Sequence, residues 1–164
     1  MGDHTETFQV DYDPSKLSFE GLLQEFWKNH NPLRDTFYKG RQYISIILYH
    51  DEKQKEVAEQ KKEEWERKLS GEIQTEIVPL TTFYLAEDYH QKYYLKRFPQ
   101  AISQLKSLYP TEKDLTNSTL AARLNGFVKG FGQLETLKQE IENEWNITDQ
   151  ERTEFLRIIG SIRW

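Results

Sequence analysis

Glu6 is the first residue whose position in the sequence suggests chemistry. It lies in segment 4–12, where polar and apolar residues alternate, and it interrupts the face formed by Phe8, Val10 and Tyr12. Period-two alternation predicts a half-buried strand. On one interpretation, Glu6 is at a strand end where its carboxylate reaches water. On the other, it lies in an apolar pocket, where a carboxyl group stays protonated and can donate a proton.

Tyr43 is the second candidate. It follows Gln42 in the run Arg41–His50, which is the most apolar stretch of the chain and is rich in β-branched and aromatic residues. Such a run predicts a buried central strand. Polar groups at the mouth of a buried strand often line a binding site, so Gln42 and Tyr43 are candidates for one.

Segment 83–95 contains four tyrosines, and it also places Glu87 three residues before His90 on one helical face. A metal site would need a second histidine–carboxylate pair, and none occurs at a suitable spacing. Aromatic packing against a sheet, with the polar tips hydrogen-bonded, is the preferred interpretation. The three glycines of segment 125–132 match neither a phosphate loop nor a dinucleotide fingerprint, and they predict a turn between helices.

Bulk composition narrows the possible functions. The 164 residues carry a formal net charge of -5 and include no cysteine. The acidic balance argues against a nucleic-acid surface. Without cysteine, the sequence as given has no disulfide, no thiolate zinc site and no cysteine nucleophile. No run approaches the roughly 20 apolar residues of a membrane span, and the start lacks signal-peptide features. We expect a cytoplasmic protein with no membrane or nucleic-acid partner.

The remaining elements are predicted from caps and periodicity. Ser18 caps a helix with an apolar stripe that includes Trp27, Asp51 caps a charged helix over 52–69, and segment 73–78 alternates as a short strand. After Arg97-Phe98-Pro99 the sequence predicts helices only, over 112–124, over 132–145 and from the Thr148–Glu151 capping box onward. We therefore divide the chain into an α+β domain at 1–96 and a helical extension at 97–164.

Four stretches, in order and at similar spacing, resemble the peptide methionine sulfoxide reductase A family. They are Gly2-Asp3-His4-Thr5-Glu6 with Val10–Pro14; Ser18–His30; Gln42-Tyr43 with Ser45, Tyr49 and His50; and Thr75–Ile77 with Phe83–Tyr93. The resemblance implies an incomplete ferredoxin-like two-layer sandwich, in which helices lie on a mixed, largely antiparallel sheet. The resemblance covers residues 2–95, which match the C-terminal portion of the proteins in that family.

The resemblance also implies a reaction. A thiolate attacks the sulfur of methionine-S-sulfoxide in a protein or peptide, a protonated glutamate assists the oxygen, and tyrosine hydroxyls hold it. Thioredoxin or another dithiol then restores the thiol, and no bound cofactor is needed. Glu6 matches the proton-donating glutamate, and Tyr43 matches one oxygen-binding tyrosine.

The family's Gly-Cys-Phe-Trp stretch, with its nucleophile, has no counterpart here, and Phe37–Arg41 departs from the acidic loop that many members carry. We therefore expect this cysteine-free chain, which resembles a truncated reductase, to have no repair activity as written. The alternative is a non-catalytic remnant that recognises sulfoxide peptides or a protein partner. A helical partner module at 97–164 is a third possibility.

Overall fold

A computed structural model describes residues 5–34 and 40–164. Its internal contacts divide the chain into two compact units, Met1–Phe83 and Tyr84–Trp164. The division at residue 96 suggested by the sequence stays a prediction. Gly2, Asp3, His4 and the loop residues 35–39 belong to the sequence comparison above but lie outside the described residues.

The first unit contains the two helices that the sequence predicts from their caps. Helix α1 spans Phe19–Lys28, and the hydroxyl of its N-cap Ser18 accepts a hydrogen bond from the Gly21 N–H. Helix α2 spans Glu52–Leu69, and its N-cap Asp51 accepts from the Gln54 N–H. Each cap satisfies one of the N–H groups that a helix start leaves without a partner. Both helices are confirmed.

The first unit contains a two-stranded parallel sheet. Strand β1 spans Ile46–Tyr49 and strand β2 spans Glu76–Pro79, with Ile46 opposite Glu76. The α+β class is confirmed, because α2 packs on both strands and on α1. The expectation of a largely antiparallel sheet is wrong for the described residues. Two parallel neighbouring strands need a long crossover connection between them. Helix α2 provides that crossover, so β2 runs parallel to β1.

The predicted central strand over Arg41–His50 is shorter than expected. Residues Arg41–Tyr43 form a single 3₁₀ turn after Gly40, whose φ of 97° is readily accessible only to glycine. Regular pairing begins at Ile46, and within β1 only Ile47 is fully buried. Tyr43 therefore lies on a turn that leads into the strand.

The predicted strand at 4–12 is absent from the described part, residues 5–12. Phe8 is 78% exposed and Val10 is 45% exposed, so the expected apolar face is not buried. Alternation indicates a strand only where a neighbouring strand can pair with it. Among the residues that the structure describes, this segment is hydrogen-bonded to distant parts of the chain at its start, through Thr5 and Glu6. The core of this unit lies elsewhere, among Leu23, Trp27, Ile47, Ala58 and Ile73.

The second unit contains helices joined by turns, and the prediction of helices for the residues after 97 is confirmed. Its helices are α3 (Tyr93–Lys96), α4 (Pro99–Leu105), α5 (Glu112–Asn117), α6 (Thr119–Val128), α7 (Leu134–Asn143) and α8 (Asp149–Ser161). They enclose a core in which Leu95, Leu120, Leu124, Ile141 and Ile159 are completely buried. No helix in the described ranges is both long and apolar enough to cross a membrane.

Two helix boundaries differ from the sequence prediction. The expected helix over 112–124 is two helices, because Ser118 is extended and its hydroxyl caps a new helix by accepting from the Ala121 N–H. Helix α6 then continues to Val128, so only the end of the glycine-rich segment is a turn. Gly130 and Gly132 have φ values of 101° and 74° there.

Candidate functional site

The segment that carries Glu6 is hydrogen-bonded to the turn that carries Tyr43. The Glu6 backbone N–H donates to the Gln42 carbonyl at 2.9 Å. One residue earlier, the Thr5 hydroxyl donates to the Arg41 carbonyl at 3.1 Å. These two bonds join residues 35 or more positions apart, and they place the two predicted site residues on adjoining stretches of backbone.

Both predicted side chains face solvent. Glu6 is exposed, and Tyr43 is 49% exposed. Of the two interpretations of Glu6, the structure shows the carboxylate that reaches water, although not at a strand end. The apolar pocket that would hold the carboxyl group away from water is not formed around Glu6 by the described residues. The roles of Glu6 and Tyr43 as site residues stay predictions.

A bidentate ion pair connects the turn that contains Tyr43 to the sheet. The Arg41 guanidinium donates from Nη1 to Glu76 Oε1 at 3.2 Å and from Nη2 to Glu76 Oε2 at 3.0 Å. The fork of a guanidinium matches a carboxylate in this geometry, so the pair fixes direction as well as distance. Both side chains are a little over one-third exposed. Since Glu76 opens β2, the pair holds the turn at the start of the sheet.

A chain of hydrogen bonds runs behind the turn from the core to the surface. Trp27 Nε1 donates to Thr75 Oγ1 at 3.0 Å, the Thr75 and Ser45 hydroxyls are 2.7 Å apart, and His30 Nε2 is 2.9 Å from Ser45 Oγ. Trp27 and Thr75 are almost fully buried. The chain links α1 with the segments that lead into β1 and β2.

The direction of this chain follows from its outer end. His30 Nδ1 is 2.8 Å from the Phe26 carbonyl, which can only accept, so Nδ1 carries a proton. In a neutral imidazole Nε2 is then an acceptor, and the Ser45 hydroxyl donates to it. Thr75 donates in turn to Ser45. Every donor from Trp27 to His30 has one acceptor, and the arrangement orders Ser45, two residues after Tyr43.

Sequence reasoning missed both the ion pair and the hydrogen-bond chain. The available signal was weak. Arg41 and Glu76 are opposite charges near the starts of two predicted strands, and Thr75 is a small polar residue on the inward face of one of them. Only the parallel register of β1 and β2 brings these groups together.

The second unit offers no comparable arrangement in its described residues. His90 Nε2 and Glu87 Oε2 are 4.0 Å apart, and no group of three or more possible metal ligands occurs within residues 5–34 and 40–164. Tyr84, Tyr89 and Tyr93 are 69%, 64% and 49% exposed, and the packing of this segment against a sheet stays a prediction.

A cleft of about 400 Å³ beside α6 and α7 is lined mainly by apolar and small side chains, including Phe127, Phe131 and Leu137. The charged group at its wall, Arg123, is paired with Glu140 at 2.6 Å. The cleft therefore presents no side chain with an evident catalytic role.

The whole chain lacks cysteine, so no thiolate accompanies Glu6 and Tyr43 in this sequence. The remaining groups near the turn can donate or accept hydrogen bonds. They comprise a carboxyl group, a phenol, an imidazole and two hydroxyls. None of them supplies the two electrons that reduce a sulfoxide.

Comparison with known proteins places these features in a family. The profile described as peptide methionine sulfoxide reductase matches residues 1–122. A peptide methionine sulfoxide reductase of Drosophila melanogaster is 49% identical over 143 residues, which cover 87% of this chain and 56% of that protein. Peptide methionine sulfoxide reductase MsrA of Methanosarcina acetivorans is 46% identical over 99 residues, covering 57% of this chain and 53% of the relative.

A third relative, peptide methionine sulfoxide reductase A5 of Oryza sativa subsp. japonica, is 39% identical over 132 residues, which cover 77% of this chain and 51% of that protein. The chain thus spans about half the length of the curated relatives it matches. The family profile covers well over half of the chain, and it includes both Glu6 and Tyr43. The chain belongs to the peptide methionine sulfoxide reductase family.

Proposed function

We propose that this chain carries the oxygen-recognition side of a methionine-S-sulfoxide site and does not reduce the sulfoxide by itself. The observation that supports it best is the hydrogen bond from the Glu6 N–H to the Gln42 carbonyl at 2.9 Å, which brings the Glu6 segment beside the turn of Tyr43. A sulfoxide oxygen is a hydrogen-bond acceptor. A phenol is a donor that suits it, and a carboxyl group becomes one when it is protonated.

The proposed lack of turnover follows from electron balance. Reduction requires a thiolate to attack the sulfoxide sulfur. The sulfur–oxygen bond of the sulfoxide then breaks, and the products are methionine and a sulfenic acid on the attacking cysteine. A carboxyl proton assists the departing oxygen. The family resemblance assigns the proton transfer to Glu6, but no side chain among the 164 residues is a cysteine that could take the nucleophilic step. In a family member with that cysteine, thioredoxin or a dithiol would return the thiol.

Substrates and surroundings are part of the same proposal. The natural ligands would be proteins and peptides that contain oxidised methionine, and the chain would reside in the cytoplasm. The relatives' names give methionine sulfoxide in peptides as the substrate class. Protein repair after oxidative damage is the corresponding process.

A non-catalytic role in binding is the second candidate. The absence of cysteine together with the exposure of Glu6 and Tyr43 favours it, because both side chains are open to a peptide ligand. In this form the chain recognises sulfoxide peptides, or a protein partner, without chemistry. The two candidates share one binding surface and predict the same ligand preference.

Titration with matched peptides tests the shared surface. One peptide carries methionine-S-sulfoxide and the other carries unmodified methionine, and calorimetry or fluorescence reports binding to the full chain. We expect the sulfoxide peptide to bind more tightly, and we expect Glu6→Ala and Tyr43→Phe each to weaken it by about tenfold, because each substitution removes one polar group that would contact the sulfoxide oxygen.

Glu56→Ala and Tyr89→Phe are matched controls, since both residues are exposed and lie outside the proposed surface. They should leave the preference unchanged. Equal affinity for the two peptides, or equal effects of the site and control variants, would remove the proposed recognition role.

A further inference from the structure

Ser45 and His30 form a hydrogen-bonded pair in the first unit. Ser45 Oγ lies 2.9 Å from His30 Nε2, within the separation required between a serine nucleophile and a histidine general base. Ser45 is partly buried, whereas His30 is exposed. The imidazole side of the pair is therefore open to a small reactant from solvent.

The neighbours of the pair fix the direction of both protons. His30 Nδ1 carries a proton because it faces the Phe26 carbonyl at 2.8 Å, so the lone pair of Nε2 faces Ser45. The Thr75 hydroxyl, 2.7 Å from Ser45 Oγ, accepts a hydrogen bond from Trp27 Nε1 and donates its own proton to Ser45. Ser45 accordingly donates to His30. The Phe26 carbonyl orients the imidazole as a carboxylate does in a Ser-His-Asp triad.

The backbone beside Ser45 supplies a donor for a negatively charged oxygen. The Ser45 carbonyl accepts from the Glu76 N–H, and the Tyr49 carbonyl accepts from the Leu80 N–H, both at 2.9 Å. Alternate residues of a strand bond to the same parallel neighbour, so the Ile46 N–H points away from β2. Within residues 5–34 and 40–164 no other strand pairs with β1 at that edge. In α/β-hydrolases the N–H of the residue after the nucleophile binds the oxyanion of the tetrahedral intermediate.

We propose that Ser45 and His30 form an esterase site for small esters with good leaving groups. Ser45 Oγ attacks the carbonyl carbon of the ester, and its proton moves to His30 Nε2. The carbon–oxygen bond to the leaving alcohol then breaks, and His30 returns the proton to that alcohol. Partial burial of Ser45 favours a short, unbranched acyl group, because a large one would meet the surrounding protein.

Water completes the reaction. It attacks the carbonyl carbon of the acyl-serine while His30 Nε2 takes its proton, the bond to Ser45 Oγ breaks, and Ser45 regains the proton. The products are a carboxylic acid and an alcohol, and no atom changes its oxidation state. Sulfoxide reduction instead needs a sulfur that can be oxidised to a sulfenic acid. The esterase site is therefore independent of Glu6, of Tyr43 and of sulfoxide recognition.

Hydrolysis of p-nitrophenyl acetate by the full wild-type chain tests the proposal. Absorbance follows the release of p-nitrophenolate, and the rate in buffer alone is subtracted. We expect release in proportion to protein concentration. Ser45→Ala and His30→Gln should each lower the initial rate by at least about tenfold. The expected loss is smaller than the full contribution of a general base, because lysines and other histidines also react slowly with this ester.

Ser103→Ala and His50→Gln are matched controls, since both residues are exposed and lie outside the pair. They should leave the rate unchanged. The proposal is overturned if the protein releases no p-nitrophenolate above buffer. It is also overturned if Ser45→Ala retains the wild-type rate, because the nucleophile would then be another group.

A labelling experiment on the wild-type chain does not depend on the folding of any variant. Methanesulfonyl fluoride, a small reagent that sulfonylates activated serines, is applied to the native protein and to protein unfolded in urea, and mass spectrometry locates the label. In the native protein we expect Ser45 to react faster than Ser103 by at least about tenfold. In urea the two should react equally. Equal labelling of Ser45 and Ser103 in the native protein would overturn the proposal.

Discussion

The Glu6 backbone N–H donates to the Gln42 carbonyl at 2.9 Å, across 36 positions of sequence. With the Thr5 hydroxyl on the Arg41 carbonyl, this bond holds the Glu6 segment beside the Tyr43 turn. No regular strand pairing supports the contact in the described residues, so two hydrogen bonds carry it. The geometry of the proposed oxygen-recognition surface depends on this short junction.

Amide hydrogen exchange checks the junction without any mutation. We expect the Glu6 amide to exchange more slowly than the amide of Phe8 by at least about tenfold after correction for sequence, because only the former has a protein acceptor in the described structure. NMR on the native chain measures both rates. Equal protection at the two positions would show that the Glu6 segment is not held against the turn.

Substitution of Thr75 tests the hydrogen-bond chain behind the turn. Thr75→Val keeps the shape of the side chain but leaves Trp27 Nε1–H buried without its acceptor. We expect the free energy of unfolding to fall by about 1–3 kcal/mol, the penalty for an unsatisfied buried donor. Chemical denaturation of Thr75→Val and of the wild type measures the difference in the free energy of unfolding.

Two controls accompany that measurement. Thr75→Ser retains the hydroxyl and should recover most of the lost stability. Thr82→Val makes the same change at an exposed threonine, where the effect should stay within about 0.5 kcal/mol. If the free energy of unfolding fell by similar amounts at positions 75 and 82, the loss would come from the threonine-to-valine change itself and not from the bond between Thr75 and Trp27.

The sequence predicted the parts of the fold that depend on neighbours in the chain. Ser18, Asp51 and Thr148 were recognised as caps because each hydroxyl or carboxylate bonds to an N–H within three residues. The burial of Trp27 followed from the apolar stripe of its own helix. Helix caps and apolar stripes depend only on residues that are close together in the sequence.

Apart from the helix over 112–124, which the local Ser118 cap divides, the wrong predictions depended on distant partners. Alternation over residues 4–12 predicted a strand, but Phe8 and Val10 find no sheet to pack on and stay exposed. The Arg41–Glu76 ion pair joins residues 35 positions apart, and only the parallel register reveals it. The family resemblance suggested Glu6 and Tyr43 as site residues, which stays a prediction, and it did not indicate that both side chains would face solvent.

Core truncation measures the stability of the second unit. Leu124 is completely buried, so Leu124→Ala removes the Cγ and both Cδ carbons from the core and should lower the free energy of unfolding by about 2–5 kcal/mol. Leu85→Ala makes the same change at a residue that is 67% exposed and should have little effect. Circular dichroism during denaturation follows the helices. Equal effects at the two positions would contradict the core assignment.

Acid should loosen the last helix through Glu151. Its carboxylate accepts from the Thr148 N–H at 2.8 Å and from the Thr148 hydroxyl at 2.7 Å, and these bonds lower the pKa of Glu151 below its usual 4.5. A lowered folded-state pKa contributes stability that is complete above the unfolded value and is lost as pH falls through the folded value.

The start of α8 should therefore fray more below pH 4.5 than at pH 7 in the wild type. In Glu151→Gln this pH-dependent difference should be smaller, because the amide does not titrate. NMR chemical shifts of residues 149–152 at several pH values measure it. Identical acid responses of the two proteins would exclude a role for the Glu151 carboxylate in the capping box.

The reductase assay tests most directly whether this cysteine-free chain lacks a nucleophile. Purified protein is incubated with a methionine-S-sulfoxide peptide and excess dithiothreitol, and the reduced peptide is quantified by mass spectrometry. We expect no reduction above that with dithiothreitol alone, because none of the 164 residues supplies a thiolate. Catalytic turnover that depends on the protein and is lost in Glu6→Gln would contradict this expectation.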